Sequence, residues 1–186
     1  MKISRLFLTS LMISALTFVG CSSDDDSNSN TGSTVIKLSG NLETMTLTKN
    51  NQYLIEGQTF VRTGKVLTIQ PGTIIKGDKA TKGTLVIDKG GKIEANGTVT
   101  EPIVMTSNLP AGSRDRGDWG GLVMLGLAKN NQPGGVAFIE GIVPTTDSQF
   151  GGNFDNDYSG ILRYVRVEFA GIALEPNKEI NGITFG

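Results

Sequence analysis

Short apolar triplets recur along this chain at a nearly constant step, and that recurrence limits what it can fold into. Leu67-Thr68-Ile69, Leu85-Val86-Ile87, Ile103-Val104-Met105 and Leu122-Val123-Met124 begin 18, 18 and 19 residues apart. Between the first two, Gly72 and Gly90 keep the same step, as do Ile75 and Ile93, and it returns between Val165-Arg166-Val167 and Ile183-Thr184-Phe185. Turn pairs such as Pro71-Gly72 and Gly90-Gly91 divide the units, and no uninterrupted helical pattern of useful length exists. A strand-and-turn unit of this size is too short for a helix pair and cannot bury its apolar face alone, so the units must stack. The stable stack is an all-β parallel β-helix: each circuit of the chain forms a rung, rungs pair at ~4.8 Å, and inward Leu, Ile, Val and Met form ladders. Glycine, at 25 of 186 residues, suits the corners such a coil needs. A six-residue repeat, the mark of the left-handed coil, is missing, and the strands of a β-sandwich, the main rival, need not recur at a fixed step.

Three stretches carry a resemblance. Residues 67–77 (LTIQPGTIIKG), 117–122 (GDWGGL) and 162–171 (LRYVRVEFAG) look like a family of right-handed parallel β-helix lipoproteins and secreted proteins of Bacteroidota. The likeness runs from about Ser39 to Gly186. It implies a right-handed, single-stranded solenoid, and the family has no well-defined activity to lend. Some members carry a transporter label, which this chain does not support: beyond the start no apolar stretch approaches the ~20 residues of a membrane span, and amphipathic barrel patterning is absent.

The start of the chain gives an address. Lys2 and Arg5 precede an apolar run at residues 6–19, then Gly20 and Cys21, the only cysteine. This reads as a lipoprotein signal peptide over residues 1–20, too short to span a bilayer. Phe18-Val19-Gly20-Cys21 resembles the bacterial lipobox, with Phe18 where Leu is usual, and implies lipidation of Cys21 at the mature N-terminus. Ser22-Ser23-Asp24-Asp25-Asp26 is similar to the export signal of Bacteroidota surface lipoproteins, implying outer-membrane lipid as partner and an outward-facing location. Residues 21–34 form a polar tether with no apolar residue after Cys21, and residues 35–186 the β-helix domain.

Composition removes whole classes of chemistry. The chain has no histidine, and its cysteine is assigned to lipid, so Ser-His-Asp catalysis, thiol nucleophiles, disulfides and His-based metal sites are excluded. Without residues 1–20 the 17 basic and 18 acidic residues become 15 and 18, about −3, and nothing predicts nucleic-acid binding. The basic excess lies in residues 33–100, with Lys76, Lys79, Lys82, Lys89 and Lys92 on outward or turn positions. Such lysines keep strands soluble and unpaired, or hold an anionic polysaccharide.

Residues 144–160 interrupt the repeat and bring Phe150, Phe154 and Tyr158 beside Asp147, Asp155, Asn156 and Asp157. Aromatic faces stack on sugar rings, and carboxylates with amide oxygens suit calcium. Regular EF-hand spacing is absent, and Asn and Asp also close turns through their own side chains. Phe150, Phe154, Asp155, Asp157 and Tyr158 are the candidate ligand-binding residues, with calcium as the possible ion and no other cofactor or catalytic residue. Arg114-Asp115-Arg116-Gly117-Asp118-Trp119 contains an Arg-Gly-Asp triplet; its neighbouring opposite charges are expected to pair with each other and with the backbone at a rung corner, with Trp119 as a packed plug. Residues 181–186 read as the middle of a rung, so a longer reading frame is expected. The expected function is a surface-anchored, non-catalytic lipoprotein that binds extracellular polysaccharide or another ligand, or acts as a rigid spacer. The alternative is a polysaccharide lyase or glycoside hydrolase, for which Glu140, Asp155, Asp157 and Glu168 are the first carboxylates to inspect.

Overall fold

The structure is a computed structural model that describes residues 34–146 and 148–186. The expected signal peptide, Cys21, most of the expected tether and Asp147 lie outside the described residues.

Successive circuits of chain build a parallel β-helix with three sheet faces. The first rung is β1 (Val35–Leu42) and β2 (Met45–Leu47), the second β3 (Gln52–Val61) and β4 (Val66–Ile69), the third β5 (Ile74–Gly77), β6 (Thr84–Ile87) and β7 (Lys92–Asn96). The fourth starts with β8 (Ile103–Ser107) and β9 (Gly121–Met124), detours through β10 (Ala137–Phe138) and β11 (Gln149–Phe150), and closes with β12 (Gly160–Arg163). The last contains β13 (Val165–Val167), the pair β14 (Ala173–Glu175) and β15 (Lys178–Glu179), and β16 (Ile183–Phe185). β3 bends at Gly57, whose φ is +63°, and so serves two faces: its start pairs with β5 and its end with β6. The first face therefore runs through the start of β3, β5, β8 and β13, and the second through the end of β3, β6, β9 and β16. The third stacks β2, β4, β7 and β12.

All of these inter-rung pairings are parallel, as the stacked-unit reading requires, but the rung is not the 18-residue step. Leu67 pairs with Ile93, 26 residues on, Ile75 with Met105, 30 on, and Leu85 with Leu122, 37 on. Leu67, Leu85 and Ile103 stand on the third, second and first faces in turn. A step of 18 falls one face short of a full circuit here, so the apparent repeat compares different faces. Val165 and Ile183 sit on two faces of one rung.

Inward side chains form the axial core, including Leu47, Ile55, Leu67, Ile75, Leu85, Ile93 and Met105. A second apolar cluster lies outside the coil. β6 and β9 are buried at all four of their positions, because Phe60, Val86, Val123 and Leu125 on the outer side of the second face are covered by Ile142, Leu174 and Ile180. Those three come from the long excursions 125–159 and 168–182. Leu-Val-Ile and Leu-Val-Met, which do not alternate, are thus strands buried on both faces. Lys82 helps to hold this roof, its Nζ donating to the Leu174 carbonyl at 2.8 Å.

The corner between the first and second faces lengthens from rung to rung: Gly57, then residues 78–83, 108–120 and 168–182. Trp119 is fully buried there, seated over Gly77, with Nε1 donating to the Glu168 carbonyl at 2.8 Å. Asp118, also fully buried, accepts from Lys79 at 2.9 Å and from the Asp115 N–H at 2.9 Å. The expected plug and the expected bonding to backbone are present, but the neighbouring charges do not pair with each other: the ion pair of Asp118 is with Lys79, 39 residues away, and Arg114 donates to the Leu109 carbonyl.

Candidate functional site

The detour of the fourth rung builds a cavity on the outer side of the second face. β10 and β11 pair antiparallel, with Ala137 opposite Phe150 and Phe138 opposite Gln149. Phe138 stays 46% exposed, a large apolar surface left for something to cover. Across from this hairpin lies the stretch from β15 into β16, with Ile180 buried in the outer core. Between them is a cavity of about 290 Å³ whose wall includes Phe138, Phe150, Glu140, Glu179, Asn181 and Thr184.

The wall mixes two surface types. Phe138 and Phe150 supply apolar ring area above Ile139 and Ile180, while Gln132, Asn181 and the two carboxylates supply donors and acceptors. Among the described residues neither the Glu140 nor the Glu179 carboxylate has a hydrogen-bonded partner. Thr184 Oγ1 is buried and likewise without a partner. Such an atom loses the full strength of its hydrogen bonds with water unless a ligand restores them.

The residues singled out from sequence do not converge. Phe150 is in the cavity wall, so it belongs to the site. Phe154 is 60% exposed, and its N–H donates to the Leu127 carbonyl. Asp155 forms a surface ion pair with Lys129 at 2.9 Å. Asp157 closes a turn, accepting from the Leu127 N–H at 2.7 Å and from Ser159. Tyr158 stands over the third face, its hydroxyl donating to Glu94 at 3.1 Å with Lys92 Nζ 5.2 Å from its ring centre. Partial desolvation and then Glu94 raise its pKa above the ordinary 10.0. Among the described residues no three of His, Cys, Asp and Glu approach closely enough to hold a metal ion.

Of the four carboxylates expected for catalysis, only Glu140 faces the cavity. Glu168 lies at the Trp119 corner, paired with Arg166 and accepting from Thr106. The five lysines are also dispersed: Lys76 reaches Gln52, Lys79 Asp118, Lys82 Leu174, Lys89 Gln149 and Lys92 Tyr158. Phe138, Glu179, Asn181 and Thr184 were not visible as site residues. The one hint was Val136-Ala-Phe-Ile-Glu140, an apolar run inside a loop with no place in the repeat.

These features define a parallel β-helix whose second face carries a roof with an aromatic and acidic cavity. The family model of the pectate-lyase-like β-helix domain matches residues 40–186, and the chain belongs to that family. No curated protein and no solved structure matches it.

Proposed function

We propose that this chain is a lipid-anchored surface protein that captures extracellular glycan in the cavity under the roof, without cleaving it. The observation that carries the reading is the wall itself: phenyl faces at Phe138 and Phe150 suit the C–H faces of a sugar ring, while Glu140, Glu179, Asn181 and the unpartnered Thr184 hydroxyl suit its hydroxyls. A volume near the lower end of ligand cavities suits one or two sugar units rather than an extended chain in a long groove. The family name is consistent with a carbohydrate-related role. Cys21 after its apolar run supports anchoring in the outer membrane with the domain outside the cell, and the polar tether would hold it clear of the headgroups.

The test is glycan-array binding by the full-length chain purified in detergent, repeated with Phe138→Ala and Phe150→Ala. Loss of each phenyl ring should weaken binding about tenfold, the cost of truncating an aromatic anchor at a binding site. Binding that ignores both substitutions places the ligand elsewhere, and silence across neutral, amino and acidic glycans leaves the spacer role.

A second reading, glycoside hydrolysis, draws on the two carboxylates that share the cavity, Glu140 and Glu179. It requires new reducing ends during incubation with a bound polysaccharide, lost in Glu140→Gln and in Glu179→Gln.

A further inference from the structure

The cavity is acidic. Its lining includes Glu140 and Glu179 and no lysine or arginine. Neither carboxylate has a hydrogen-bonded partner among the described residues, although the field of Glu140 reaches Lys178, itself ion-paired with Glu175. Arg116 lines an adjoining groove of about 530 Å³ that shares Glu179, Ile180 and Asn181 with the cavity. A carboxylated sugar entering the roof cavity would meet two like charges and no cation in the wall, which is how a site rejects a ligand class. An ammonium group would meet two carboxylates without hydrogen-bonded partners and two phenyl rings, and both kinds of group attract cations electrostatically. The buried Thr184 hydroxyl adds a directional contact for a neighbouring sugar oxygen.

We infer that the cavity selects an amino sugar with a free ammonium group, and discriminates against uronic acids. This rests on the cavity being a glycan site. Glu140 and Glu179 receive the ammonium, Phe138 and Phe150 take the ring, and Thr184 bonds a hydroxyl. The selectivity lies in charge, so acetylating the amine removes the attraction while leaving the stacking surfaces available.

The experiment compares three probes of equal length on the full-length chain in detergent, by calorimetry: a glucosamine pentamer, its N-acetylated counterpart, and a galacturonate pentamer. The glucosamine pentamer should bind about tenfold more tightly than the N-acetylated one, with the galacturonate pentamer weakest. A Glu140→Gln, Glu179→Gln double variant should erase that preference and keep the N-acetylated affinity, while Phe138→Ala weakens both amino-sugar ligands. Asp155→Asn, an acidic position outside the cavity, should preserve the preference and so separate site recognition from general attraction of a polycation. Lys178→Gln should increase it. Equal or tighter binding of the N-acetylated or galacturonate pentamer overturns the ammonium inference while leaving a glycan site in place. Preference surviving the double variant also overturns it, and binding of none of the three removes the cavity reading as well.

Discussion

Adding one methyl group at Gly77 should damage this protein more than most core deletions of similar size, and Trp119 is the reason. A Cβ at Gly77 would lie 2.5 Å from Trp119 Cβ, Cγ and Cδ2, closer than real contacts permit. The indole has nowhere to retreat: it is fully buried, and its Nε1 is tied to the Glu168 carbonyl. The backbone of Gly77 lies outside the left-handed region, so alanine adds no torsional strain and the clash is isolated. Overpacking of a rigid core site costs about 1–3 kcal/mol, and the upper half of that range applies here. Trp119→Ala alone should cost about 3–5 kcal/mol, from the vacated volume and the lost hydrogen bond. In the double variant the contacts with Cγ and Cδ2 are gone but the approach to the Cβ at position 119 remains, so the Gly77→Ala penalty should shrink without vanishing, a coupling of about 1 kcal/mol. Urea unfolding followed by far-UV circular dichroism measures all four corners, since tryptophan emission is lost in two of them. A Gly77→Ala penalty that is unchanged in the Trp119→Ala background would refute the clash as its cause.

The remaining predictions concern charge and anchoring. Burial pushes the Asp118 pKa up, but hydrogen bonds from Lys79, the Asp115 N–H and Ser107 outweigh it and hold the carboxyl below its ordinary 3.8. A folded-state value below the unfolded one means stability that is complete above that ordinary value and is lost as pH falls through the lower one. Asp118→Asn should therefore lower the urea midpoint near neutral pH and flatten its decline in acid, and an unaltered acid limb would count against it. Asp157→Ala should cost about 1–2 kcal/mol by freeing the Leu127 N–H, with glycan binding unchanged; a binding defect without loss of stability would restore Asp157 as a ligand residue. Cys21→Ser should move the protein from membranes to the soluble fraction on cell fractionation, and full retention would exclude a lipid anchor.

Parts of the fold were legible for local reasons. Apolar triplets between Gly-rich turns specify strands, and a unit too small to bury its own face specifies stacking. The packing of Trp119 was also legible, because a lone tryptophan at a corner has few other uses, but the ion partner of Asp118 was not: Lys79 arrives from the preceding rung in place of the neighbouring arginines. The register was not. Leu67, Leu85 and Ile103 have similar neighbours on three different faces, and only the corner lengths decide which strand meets which. Leu85-Val86-Ile87 was legible only as a rung strand with inward residues; that Val86 is covered from outside as well depends on the roof. The candidate loop at residues 144–160 fared accordingly: Phe150 reached the cavity, while Asp155, Asp157 and Tyr158 found nearby partners of their own.

By itself the sequence determined that this chain is a stack of β rungs with little redox or histidine chemistry available to it, because composition and local pattern settle those matters residue by residue. Tertiary structure alone decided where the rungs meet, that a roof covers one face, and that Glu140 and Glu179 share a cavity with Phe138 and Phe150. Glu140 and Glu179 are 39 residues apart in the chain. Only the closing of the intervening circuit brings them together, and no local pattern records how far a coil must travel to return.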